Sequence, residues 1–127
     1  MYLTPMATAF HILSAGYDHQ LMQTRSMLLR HAGFVVDEAY DLMGVLGCVK
    51  SDSFDALVIC HTIPENEQRW IISLVRRVRG LLPIICIRAT VYGSAQEGCS
   101  VSTNEPGEFL AAIGKAIQHP RELRSPC

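Results

Sequence analysis

The side chains with chemistry to offer are few and scattered. Cysteines stand at 48, 60, 86, 99 and 127, an odd number separated by 12, 26, 13 and 28 positions. No CxxC pair and no zinc-ligand spacing occurs among them. Cys60 is followed by His61, a thiol beside a base, which is the composition of a nucleophilic dyad. Neighbours on a strand point to opposite faces, however, so these two do not read as one. Arg88 is a cation that would favour a thiolate at Cys60 and make it a redox or anion-sensing group. Against this stands the ordinary role of a free cysteine as a small buried hydrophobe. Arg88 and Glu105 could form an ion pair, either fixed or a solvated contact of about 0–1 kcal/mol. Arg76, Arg77 and Arg79 either meet an acidic partner or occupy a helix C-terminus, where cations are favoured. Tyr17 and Tyr92 are candidates for a partner-binding patch. GxGxxG, GxxxxGK[ST] and GxSxG are all absent, so nucleotide-binding and serine-hydrolase readings have no support.

The elements that must position these residues alternate along the chain. Strands are expected at 10–15, 34–39, 56–61, 83–88 and, weakly, 99–103. Helices are expected at 19–32, ended by Gly33; at 41–51, with Asp41 as N-cap; at 65–79; and at 107–118. The apolar stripe of the third helix is Ile71, Leu74, Val75 and Val78, and that of the last is Phe109, Ala112, Ile113, Ala116 and Ile117. Strands apolar on both faces, each followed by a helix, predict a parallel sheet covered on both sides. The expected architecture is a three-layer αβα sandwich with a five-stranded parallel sheet of order 2-1-3-4-5. Functional residues in such sheets lie beyond the C-terminal strand ends. That directs attention to Gly16, Tyr17 and Asp18, to Cys60 and His61, to Arg88, and to Asn104, Glu105 and Pro106.

Composition narrows the function classes. The 127 residues suit one domain, with a core at about 10–118 and a frayed tail at 119–127. Eleven basic and twelve acidic residues give a net charge of −1, without the basic footprint of a nucleic-acid or anionic-membrane binder. Hydrophobic residues make up 49 %, too many for a disordered chain. The opening stretch MYLTPMATAF has no lysine or arginine, and LLPIICI is far short of the roughly 20 residues that span a bilayer. A reduced, cytoplasmic protein is expected.

Four segments in order resemble the receiver domain of response regulators. HILSAGYDHQLMQTRSMLLRHAGFVVDEAYD is similar to that family's first strand, first helix and second strand. FDALVICHTIP resembles its Asp-Leu-Val-Leu-Leu-Asp-x-x-Met-Pro run, LLPIICIRAT its Pro-Ile-Ile-x-Leu-Thr-Ala run, and NEPGEFLAAI its Lys-Pro-Phe segment. The resemblance implies the flavodoxin-like receiver fold and marks where the family's chemistry would sit. The two acidic residues that hold Mg²⁺ correspond to Gly16 and Tyr17, with Asp18 the neighbouring carboxylate that remains. The phosphate-accepting aspartate corresponds to Cys60, the switch Ser/Thr to Arg88, and the lysine to Glu105. Tyr17 would then plug the emptied acidic pocket. The segment from Arg88 to Glu105 is about five residues shorter than the family's, so the fourth helix of the family is expected to be shortened or missing.

The resemblance thus implies a degenerate pseudo-receiver: a stand-alone, non-catalytic module of bacterial-type two-component (phosphorelay) signalling, with no metal and no cofactor. It would act on a protein partner, with self-association as a homodimer left open, and independently of aspartyl phosphorylation. The alternative is a small-ligand or redox sensor centred on Cys60 and Arg88.

Overall fold

A computed structural model describes residues 10–51, 54–88, 100–103 and 106–118. The strands are β1 (His11–Ala15), β2 (Val35–Ala39), β3 (Ala56–Ile59), β4 (Ile84–Arg88) and β5 (Ser100–Thr103). The helices are α1 (His19–His31), α2 (Leu42–Ser51), α3 (Glu65–Val78) and α4 (Pro106–Gln118). The strands form one sheet in the order β2-β1-β3-β4-β5, every pair parallel. Register pairs Ala15 with both Ala39 and Ile59, so three strands end at one level. The stretch 89–99, the site of the expected shortened helix, lies outside the described residues, as do Asn104, Glu105 and the tail.

Alternation along the strands divides the core in two. Leu13, Ala15, Leu57, Ile59, Ile84 and Cys86 face α2 and α3. Ile12, Ala56, Val58, Ile85 and Ile87 face α1 and α4. Both faces are dry, which is why β3 and β4 read as unbroken apolar runs. The helix stripes follow the same logic, with one correction. In α3 the inward residues are Gln68, Ile71, Ile72 and Val75, and Val78 is exposed. The stripe begins one turn earlier, at Gln68, whose buried side-chain amide is satisfied by donating to the Ile63 carbonyl at 2.7 Å.

Helix ends are fixed by local chemistry. Gly33 has φ of +104°, a left-handed conformation that costs other residues energy. Its N–H donates to Arg30 O at 3.0 Å and that of Phe34 to Leu29 O at 3.1 Å, the paired bonds of a Schellman cap. Asp41 caps α2 by accepting from Gly44 N at 2.7 Å. The basic end of α3 is engaged rather than solvated: Arg76 donates to Leu82 O and Gly80 O, and Arg79 donates to Phe54 O at 2.9 Å. These two arginines hold the chain entering β3 and β4, which argues against a free patch for an acidic partner.

At the β2 edge, the Ser26 and Tyr40 hydroxyls both donate to Glu38. These bonds hold the Glu38 carboxyl below the usual range and join α1 to the sheet edge. His19 stacks on Tyr40 with ring centres 3.9 Å apart.

Leu57 is fully buried at the centre of the sheet. We expect Leu57→Ala to lower unfolding free energy by about 2–5 kcal/mol, measured by urea denaturation.

Candidate functional site

The site forms where β1 and β3 end. Beyond Ala15 the chain turns, and the Gly16 N–H donates to Ala39 O at 3.2 Å while the Cys60 N–H donates to Ala15 O at 2.8 Å. The two backbones therefore run side by side past the sheet. A Cβ on Gly16 would lie 2.7 Å from Cys60 Cβ and 2.8 Å from Met22 Sδ. Only glycine fits this approach without displacement.

Asp18 is spent on the helix it starts: its Oδ1 accepts from Leu21 N at 3.0 Å. Tyr17 is pinned twice. Its N–H donates to Thr62 Oγ1 at 3.0 Å, and its phenol donates to Glu67 at the start of α3. The bond to Glu67, burial and the nearby carboxylates of Glu67 and Asp41 push the phenol up to about 12. Tyr17 is thus fixed by polar contacts to α3 and remains 39 % exposed.

Cys60 is 1 % exposed. Thr62 Oγ1 donates to its sulfur at 3.3 Å, and Arg25 Nη1 lies 2.6 Å from the sulfur. Arg25 comes from α1 and is itself 4 % exposed. Its other terminal nitrogen, Nη2, lies 3.3 Å from His61 Nδ1. One guanidinium therefore touches both Cys60 and His61. The expectation that the two point apart fails because β3 ends at Ile59, so strand alternation no longer applies beyond it. Burial, then the positive charge of Arg25, hold the His61 imidazole below its ordinary range, with Asp18 opposing.

The cation on the sulfur is accordingly Arg25, a residue not singled out in the sequence. Arg88 lies 3.6 Å from Glu65 on α3, and Glu105 is outside the described residues. A signal for Arg25 was present: Met22, Arg25, Ser26 and Leu29 are the buried residues of α1, spaced i, i+3, i+4 and i+7. An arginine on that stripe has to find a buried acceptor.

These residues do not suit a divalent cation. Magnesium requires several oxygen ligands. Gly16 has no side chain and no space for one, the Tyr17 phenol is committed to Glu67, and Asp18 caps a helix. A buried guanidinium stands nearby. Among the described residues no three His, Cys, Asp or Glu side chains cluster as a metal site would require.

Solved structures share this architecture. A putative response regulator from Chloroflexus aurantiacus is similar with a TM-score of 0.78 and 20 % identity, over 87 % of this chain and 99 % of that one. The fold is that of a receiver domain. A CheY-like response-regulator receiver domain protein from Methanospirillum hungatei is similar at TM-score 0.76 and 15 % identity, over 91 % of this chain and 99 % of that one. The receiver domain of a sensor histidine kinase from Pseudomonas aeruginosa, with a magnesium ion coordinated in its active-site cleft, is similar at TM-score 0.75 and 15 % identity, over 87 % and 99 %. No family model and no curated protein matches the sequence. No described helix of this receiver fold is long and apolar enough to cross a membrane.

Two outcomes are expected. Gly16→Ala overpacks the strand crossing and costs about 1–3 kcal/mol. Cys60→Ala does not relieve that cost, because it keeps the Cβ that clashes. The second concerns pH. The folded His61 binds a proton less readily than the unfolded one, whose ordinary value is 6.5. The unfolded state therefore takes up more protons as pH falls below about 6.5, and stability drops there. Urea midpoints should decline on acidification through that window, and less so in His61→Gln. In Arg25→Gln the His61 titration followed by NMR should move upward part of the way, since burial remains.

Proposed function

We propose that this chain is a non-catalytic signalling module of receiver fold that acts by binding a protein partner, in two-component (phosphorelay) type regulation, and that aspartyl phosphorylation does not switch it. The observation that carries this reading is the state of Cys60. It stands where the resembling segment has the acceptor aspartate, it is buried, and its sulfur already receives Arg25 and Thr62. Phosphoryl transfer relies on a metal and on positioned cations around an exposed acceptor. Here the neighbouring positions offer glycine and a committed tyrosine. With no acceptor to modify, what remains for such a fold is recognition by surface contacts, a step that rests on resemblance. Cys48, Cys60 and Cys86, the described cysteines, are not in disulfides, which fits a reducing compartment such as the cytoplasm.

A second reading, a redox or ligand sensor at Cys60, draws support from the Arg25 contact and would use Arg25 in place of Arg88. Its difficulty is access, since a reagent must reach a sulfur that is 1 % exposed.

Two measurements decide between these readings. Intact mass after exposure to a small phosphodonor with Mg²⁺ should show no adduct, for the native chain and for Cys60→Asp alike. A phosphate adduct on either overturns the proposal. Alkylation read by peptide mass spectrometry should modify Cys60 far more slowly in the native state than in urea. Rapid native labelling with the fold intact would establish the sensor instead.

A further inference from the structure

A groove of about 430 Å³ opens beside Tyr17, lined by Tyr17, Leu42, Asn66, Glu67, Trp70 and Ile71. Its volume falls in the range of roughly 300–1,000 Å³ typical of small-ligand sites. Ile71 belongs to the core face and Leu42 packs against it, so this wall of the groove is set by the fold. Tyr17 is held by Thr62 and Glu67. Trp70 lies off the inward stripe of α3 and is 60 % exposed, a large apolar ring with no role in the core.

The charge around these rings is negative. Glu67 lines the groove, and Asp41 precedes Leu42 and acts electrostatically on Tyr17. The starts of α2 and α3 carry about +0.5 each, so two carboxylates leave about one net negative charge. Glu65, the other acid of this turn, is engaged by Arg88. No lysine or arginine is among the described residues that line the groove. Two aromatic rings with a carboxylate between helix starts form a surface that attracts cations and repels anions.

We propose that this groove binds an organic cation, an alkylated ammonium group, held against Trp70 and Tyr17 and neutralised by Glu67. The proposal is independent of the signalling role: the site could take a free ammonium compound or the same group on a partner's side chain.

Trp70 is the only tryptophan in the chain, so intrinsic tryptophan emission reports on the groove alone. Choline chloride should give a saturable emission change with a midpoint of order 1 mM. Its uncharged carbon isostere, 3,3-dimethylbutan-1-ol, and sodium chloride at equal ionic strength should give none. Glu67→Gln, which keeps an acceptor for the Tyr17 phenol, should weaken choline binding about fivefold. Calorimetry on Trp70→Leu, a surface change, should show a loss of about 3- to 30-fold. A short peptide carrying trimethyllysine separates the sources. Binding much tighter than choline assigns the group to a partner chain, equal binding assigns a free compound, and both support the site. No saturation by about 50 mM choline, an equal response to the neutral alcohol, or unchanged affinity in Glu67→Gln overturns it.

Discussion

A guanidinium carried inside a protein has to be met by acceptors, because an unpaired buried charge is among the costliest groups a fold can hold. Arg25 imposes that condition on everything around it. Two of its partners come from beyond the end of β3, the sulfur of Cys60 and the imidazole of His61, so the end of β3 must stay within reach of α1. Thr62 serves the same arrangement from the other side, accepting from Tyr17 and donating to Cys60. Tyr17 then reaches α3 through Glu67. A chain of polar contacts thus runs from α1 across the strand ends to α3, over a sheet whose two core faces are built mainly of apolar side chains, with Ser14 and Glu38 the polar contacts toward α1.

This organisation contrasts with an acidic cleft. A cluster of carboxylates creates a negative potential that a divalent cation balances. Here an internal cation occupies that region, and Asp18, Asp41 and Glu67 are engaged with backbone or hydroxyl groups. Negative charge persists further out, at the starts of α2 and α3, where it borders exposed aromatic surface. Tyr17 stands at the boundary between the two, its N–H on Thr62 beside Cys60 and its phenol on Glu67.

Much of the frame was legible from residue order. Apolar runs at 56–61 and 83–88 announce strands buried on both faces, and Gly33 and Asp41 mark helix ends by chemistry that acts within a few residues. Contacts between distant side chains were not legible. Nothing in the neighbours of Arg25 says which atom it will meet 35 positions later, and strand periodicity misled at His61 because the strand stopped two residues before it. Val78 misled as well: the inward stripe of α3 begins one turn earlier, at Gln68, whose buried amide is satisfied by the Ile63 carbonyl, and hydrophobic spacing does not register a buried polar residue. In each case local periodicity failed at a buried polar side chain or a strand end.

The close crossing at Gly16 has a consequence for the routes open to this chain through sequence space. The volume beside its Cα is held jointly by Cys60 and Met22, so the three positions cannot vary independently. A side chain at 16 becomes tolerable once the Met22 thioether has moved or shortened and the Cβ at 60 has given way, and shortening Met22 alone opens a void in the core. Order of substitution therefore matters, and single steps toward a carboxylate at this corner pass through less stable intermediates. Neighbouring residues that are far apart in sequence would be expected to change together or not at all, with Gly16 the last of the three to become free.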